Sequence, residues 1–438
     1  MKILSADWVL PVEGAPIRDG AVAIRDDGRI GAVGPVAELG AGTRHDGCVI
    51  LPGFVNAHTH LEYAVYAGFG DGSAFPDWIR THVQRKELLD VGGMEDVARL
   101  GASECLASGV TTVGDASYSG AAATACAELG LRAVVYLEVF GAGTDHIAER
   151  FEANRERVGG LPERVEIGIS PHAPYTCSLE LYEACASLGV PLATHLAESE
   201  VEREWTRSGV GPLPSVRPTS IRELAAHGVL SPRLVAAHGV HLDPEEIALL
   251  AEHGVGLAHC PRSNAGLGCG VAPLADLLAA GVRVGIGTDS PASAPSFDFF
   301  DELRAAVLLA RARERRPDAL TAAQALELGT LGAARALGLE AEVGSLVPGK
   351  RADVIVVSLD GSPYHPVEDP AVAVVFGGTP ERVVSVLVDG EATCERSERG
   401  GSAWHELQQR AASARARMLG GSSSNSVAAP RRAPAAAS

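Results

Sequence analysis

Lysine is nearly missing from this 438-residue chain, occurring only as Lys2, Lys86 and Lys350. Also missing is any apolar run near the roughly 18 residues that a membrane span needs, so no membrane partner is expected. The opening stretch Met1–Asp7 has no apolar signal core or cleavage site, which reads as a cytoplasmic rather than a secreted protein. Cysteine pairs are absent too: the eight cysteines are scattered singly, with no Cys-x-x-Cys, as expected of reduced thiols. Basic charge falls short of acidic charge, 37 residues against 55, for a net −18. That balance argues against nucleic acid or an anionic surface as the main partner and leaves a small molecule.

What is present is a rhythm. From about residue 51 to 290, short apolar runs alternate with polar clusters and helical patterns. The runs are 49–57, 110–116, 133–139, 165–170, 190–196, 234–240, 255–259 and 282–288. Between them lie stretches of helical period such as 178–187 and 244–253, the latter opened by Asp243 as N-cap and Pro244 at the first helical position. Strands alternating with helices imply a parallel sheet, and eight repeats close into an α/β (β/α)8 barrel over 51–342. Residues 1–50 and 343–398 carry short β-like pieces with turns at Asp26-Asp27-Gly28 and Asp389-Gly390, and are expected to pair into one small β-sandwich. Residues 399–418 read as a terminal helix. The Ser-, Ala- and Pro-rich stretch 419–438 reads as a disordered tail.

Chemistry in such barrels sits where strands end, and metal-competent residues collect there. The first run ends in His58-Thr59-His60, two imidazoles on one side of an extended strand. Later runs end in His172, His195, His238, His259 and Asp289. A lone histidine on an apolar run is usually a core residue, whereas six strand ends on one rim form a set. His58, His60, His195 and Asp289 are the best four ligands for one divalent ion, Zn²⁺ or Fe²⁺, with a position left for water. Binuclear barrel hydrolases usually bridge their ions with a carboxylated lysine on the fourth strand. No lysine lies between Lys86 and Lys350, so one ion is favoured over two.

Glu198, three residues past His195, is placed to carry a proton to a ring nitrogen. Asp289 can take a proton from the activated water, and His238 can hold the nucleophile or polarise the leaving group. His259 reads as a residue that orients a ligand. The His-x-Glu and Pro-Cys-x-x-Cys signature of zinc nucleobase deaminases is absent.

Leu51-Pro52-Gly53-Phe54-Val55-Asn56-Ala57-His58-Thr59-His60 resembles the opening of the amidohydrolase superfamily. So do His195-Leu196-Ala197-Glu198, Ala237-His238-Gly239, His259-Cys260-Pro261-Arg262-Ser263-Asn264, Gly287-Thr288-Asp289-Ser290 and the stretch Val347–Asp353. The His-x-x-Glu resembles its one-metal deaminase and chlorohydrolase branch. The resemblance implies hydrolytic deamination of a 6-aminopurine nucleoside, with His172 against the purine, Trp78 as a stacking ring and Glu87 on the ribose. His60-Leu61-Glu62-Tyr63 followed by Phe75-Pro76-Asp77-Trp78 resembles the aminodeoxyfutalosine deaminases of menaquinone biosynthesis, making that substrate the first expectation. S-adenosylhomocysteine, methylthioadenosine or adenosine is the alternative, followed by guanine, cytosine or chlorotriazine hydrolysis. A non-catalytic scaffold of the same fold is the alternative of another class. A homodimer is also implied.

Overall fold

The structure, a computed structural model, describes residues 1–396 and 401–420. Eight strands form one parallel sheet in sequence order: β1 (Phe54–Thr59), β2 (Val110–Ser117), β3 (Arg132–Val139), β4 (Val165–Pro171), β5 (Leu192–Leu196), β6 (Leu234–His238), β7 (Gly256–His259) and β8 (Arg283–Ile286). The last strand returns to the first. Thr59 bridges Asp289 in parallel register, and the Asp289 N–H donates to the His58 carbonyl at 3.0 Å. The expected (β/α)8 barrel is therefore present.

Helices cover the outside because parallel strands bury both faces, and β2 is buried at every position. Side chains pointing inward, among them Val55, Val134, Tyr136, Ala193, Val235 and Ala258, pack with the short helix Ala333–Leu337. Gly285 is required at that contact, since a Cβ there would collide with Ala333. The helix expected after Asp243 runs Pro244–Glu252, with a capping box between Asp243 and Glu246.

The two chain ends do share one β module, a seven-stranded mixed sheet of Lys2–Val9, Ile17–Ile24, Ile30–Pro35, Thr43–Pro52, Val354–Ser358, Val383–Val388 and Glu391–Glu395. Its side chains obey the two-residue period. Cys48, Ile50, Val354 and Val356 join a core private to this sheet, while Val49, Leu51, Ile355 and Val357 face the barrel's main core. The run 49–57 is not one strand. It breaks at Pro52-Gly53, with the first half pairing in the end sheet and the second half in the barrel. Proline lacks the ladder donor, and a Cβ on Gly53 would collide with Thr111.

A helix spans Ser402–Gly420, two residues into the anticipated tail, and the rest of that tail lies outside the described residues. Among the described residues no helix is long and apolar enough to cross a membrane.

Arg132, at the start of β3, ties barrel to end sheet. Its guanidinium donates to Asp353 at 3.0 and 3.2 Å and to Asp389 at 2.7 Å. Arg132 and Asp353 are 7% and 3% exposed. Removing one member strands a buried charge, so Arg132→Ala is expected to destabilise the protein by about 3–5 kcal/mol, read from urea unfolding. A loss below about 1 kcal/mol would show that the pair does not tie the two parts.

Candidate metal centre

The barrel rim brings together His58 and His60 from the end of β1, His195 from β5, His238 from β6 and Asp289 from the loop after β8. Ring centres of His58 lie 4.8 Å from His60, 5.0 Å from His195 and 5.7 Å from His238. Nε2 of His60 and Nε2 of His195 face each other at 3.1 Å, and His60 Nε2 is 3.7 Å from Asp289 Oδ1.

The backbone fixes which nitrogen is free. His60 Nδ1 meets the Ala116 carbonyl at 2.8 Å and His195 Nδ1 meets the His172 carbonyl at 2.7 Å. Carbonyls only accept, so both Nδ1 atoms carry the proton and both Nε2 lone pairs point inward. Two lone pairs at that separation repel unless a shared cation lies between them. The Nε2 of His58 is buried with no hydrogen-bond partner among the described residues. An orphaned donor set of this kind fits one divalent ion, and ligand atoms of His58, His60 and Asp289 all lie within 4.8 Å of one another.

Electrostatics keeps the ligands in their binding state. Burial, then the neighbouring imidazoles, pushes His58 and His195 far below the ordinary histidine value, so both stay neutral. Burial alone would raise the Asp289 carboxyl; His60, His238 and the Ser263 hydroxyl reverse this and hold it low. Ser263 and Ser293 both donate to Asp289 Oδ2, at 2.6 and 2.9 Å, which leaves Oδ1 for the centre. These serines were not anticipated as functional, because a serine in a polar loop carries no spacing signal.

Glu198 sits 3.7 Å from His238 Nε2, and burial followed by the Asp289 charge raises its carboxyl well above the usual range. Its loop is held by Glu202, whose carboxylate accepts from the Ala197 and Glu198 N–H groups at 2.8 and 2.7 Å. Burial pushes Glu202 up to about 7. His238 Nδ1 faces Asn264 Oδ1 at 3.0 Å, which directs Nε2 to the centre. Ala197, His238 and Asp289 have left-handed φ values of 52°, 79° and 57°. Three such non-glycine residues on one rim mark a backbone held under constraint.

His172, at the end of β4, is half-buried with Nδ1 2.8 Å from Thr176 Oγ1. That hydroxyl donates to the Ala173 carbonyl, so Nδ1 carries the proton and His172 Nε2 is left as an acceptor. Trp78 stands in the helix Phe75–Lys86 (α1), with its indole N–H on the Ala292 carbonyl at 3.2 Å and its ring 4.3 Å from His82. It therefore bridges to the loop after β8 at the mouth. His259 is buried beside His238, with Nδ1 unpartnered, and joins none of the possible ligand groups among the described residues. Glu87 is not brought in. It caps the end of α1 as an exposed residue, and its neighbour Lys86 is the buried one.

With this geometry in hand, the sequence matches the amidohydrolase family over residues 49–393. The chain belongs to that family. It is 38% identical over 414 residues to a 5-methylthioadenosine/S-adenosylhomocysteine deaminase of Moorella thermoacetica, covering 91% of this chain and 95% of the relative. It is 35% identical over 391 residues to a 5′-deoxyadenosine deaminase of Methanothermobacter thermautotrophicus, covering 85% and 88%. Among solved structures, an adenosine deaminase from Xanthomonas campestris with bound zinc superposes with a TM-score of 0.85 at 28% identity, covering 95% and 98%.

Proposed function

We propose that this amidohydrolase is a hydrolytic deaminase of adenosine-type nucleosides, working with one Zn²⁺ held by His58, His60, His195 and Asp289. The observation that carries the reading is the pairing of that ligand set with Glu198, a buried carboxyl beside His238 and Asp289 whose burial favours the protonated form. The ion would supply Lewis-acid activation of a water molecule.

The chain's own groups do the rest. Asp289 Oδ1 takes a proton from the attacking water. Protonated Glu198 gives its proton to the ring nitrogen beside the amino-bearing carbon, so the carbon accepts the water oxygen without building charge on the ring. His238 holds the entering oxygen through Nε2. Asp289 then passes its proton to the amino group, the carbon–nitrogen bond breaks and ammonia leaves, and Glu198 takes back the hydroxyl proton as the ring keeps a 6-oxo group. His172 Nε2 accepts from the 6-amino group, the one N–H donor of the base, and Trp78 roofs the base.

The relatives support 5′-modified adenosines, such as methylthioadenosine and S-adenosylhomocysteine, as the substrate class. Aminodeoxyfutalosine, first in expectation from the opening loop, gains no such support, nor does a place in menaquinone synthesis. Cysteines scattered singly through the sequence, with no Cys-x-x-Cys, favour a cytoplasmic setting. Ammonia release by zinc-loaded protein from methylthioadenosine, S-adenosylhomocysteine, 5′-deoxyadenosine, adenosine, aminodeoxyfutalosine, guanine and cytosine tests the reading. Turnover of the adenosine nucleosides well above the free bases is the expected result. Faster turnover of guanine or cytosine would overturn it.

A further inference from the structure

The motif His60-Leu61-Glu62-Tyr63 gained no substrate role, yet it holds a buried carboxylate that the proposed chemistry leaves idle. Glu62 is 2% exposed and lies in the short helical turn Leu61–Tyr63 that follows β1. Five donors converge on it, all from the chain just past Ala116. The hydroxyls of Ser117 and Ser119 donate to it, the latter at 2.9 Å. So do the N–H groups of Tyr118, Ser119 and Ala121, at 3.1, 3.0 and 3.1 Å. Ala121 opens the nine-residue helix Ala121–Leu129, so the carboxylate also meets the positive end of a helix.

A second carboxylate runs the other way. Asp115, fully buried on β2, accepts from the Leu61 N–H at 2.7 Å through Oδ2. Each segment thus lends a carboxylate to the other. Between these two sets of bonds lies the contact of His60 Nδ1 with the Ala116 carbonyl, 2.8 Å long. Leu61 and Glu62 anchor the chain directly after His60, and Asp115 and Ser117 anchor it on either side of Ala116.

That bracketing has a physical use. One hydrogen bond alone leaves an imidazole soft about its outer torsion, and a neutral ring can carry its proton on either nitrogen. A carbonyl held from both sides selects one tautomer and one ring direction. His60 has little tolerance for a swing, with Nε2 3.1 Å from His195 Nε2 and 3.7 Å from Asp289 Oδ1. Apolar side chains at 62 and 115 could hold the two segments together but would supply no direction. We infer that Glu62 is a positioning residue: with Asp115 it fixes the Ala116 carbonyl against His60 Nδ1, so that His60 Nε2 is aimed at the ion before the ion arrives. This rests on the one-metal reading above.

The test measures zinc affinity by competition with a chromophoric chelator, together with the visible spectrum of Co²⁺-loaded protein, which reports ligand geometry. Glu62→Gln keeps the shape but leaves one acceptor oxygen and turns an NH₂ toward N–H groups. Zinc affinity is expected to fall about 10- to 100-fold, the range for a lost partner of a metal-bound histidine, with a changed Co²⁺ spectrum. Asp115→Asn should act in the same direction. Arg132→Ala, which loosens the opposite end of the barrel, should leave both readouts unchanged. A Glu62→Gln protein that melts earlier yet binds zinc within about twofold of wild type, with the same Co²⁺ spectrum, overturns the proposal in favour of a plain helix cap. Should neither carboxylate variant fold, ¹⁵N spectra of the histidines in metal-free wild type decide. His60 fixed in the Nδ1–H form supports the clamp, and His60 exchanging between tautomers overturns it. Wild type that binds no zinc removes the metal reading itself, and this inference with it.

Discussion

Asp289→Asn is expected to cut kcat by at least about a thousandfold and to lower zinc affinity by about 10- to 100-fold, with the fold unchanged. The reason lies in two hydroxyls. Ser263 and Ser293 both donate to Oδ2, so an amide at this position turns its oxygen toward them. Its NH₂ group then faces His60 Nε2, where a lone pair is needed. The substitution thus removes the anionic ligand and the proton acceptor together and puts a donor in their place. Circular dichroism and metal analysis beside the kinetics separate these effects. Near-normal turnover in Asp289→Asn would remove Asp289 from the mechanism.

Glu198→Gln is expected to lower kcat by about 10²- to 10⁴-fold while zinc content and KM change little. The amide keeps the shape and can still donate a hydrogen bond to a ring nitrogen, but it cannot release a proton. Glu202 should hold the loop as before, because it binds the backbone N–H groups of Ala197 and Glu198 rather than the side chain. A loss of zinc equal to the loss of rate would mean that Glu198 acts on the ligand set instead. Unchanged kcat would remove it as the proton donor.

Much of this was legible in the sequence, and the physical reason is periodicity. Parallel strands buried on both faces write themselves as apolar runs, and their ends fall where those runs stop, so His195, His238 and Asp289 could be placed on one rim. The break at Pro52-Gly53 was hidden because both halves of 49–57 are equally apolar, although they serve different sheets. Glu87 was misjudged for a rotational reason. One residue along a helix turns the side chain by about 100°, so a helix end cannot be read to within a residue, and it is Lys86 rather than Glu87 that is buried. Ser263, Ser293 and Glu202 were invisible as supports, since each acts through a loop contact without a repeating pattern. The left-handed backbone at Ala197, His238 and Asp289 likewise leaves no mark in residue type.

The most direct test is ammonia release from methylthioadenosine by protein stripped with a chelator and then titrated with Zn²⁺. The account predicts no turnover in the stripped protein and activity that rises linearly to a plateau at one zinc per chain. Undiminished turnover by metal-free protein, a plateau at two ions, or silence on methylthioadenosine, S-adenosylhomocysteine and adenosine at full zinc loading would contradict it.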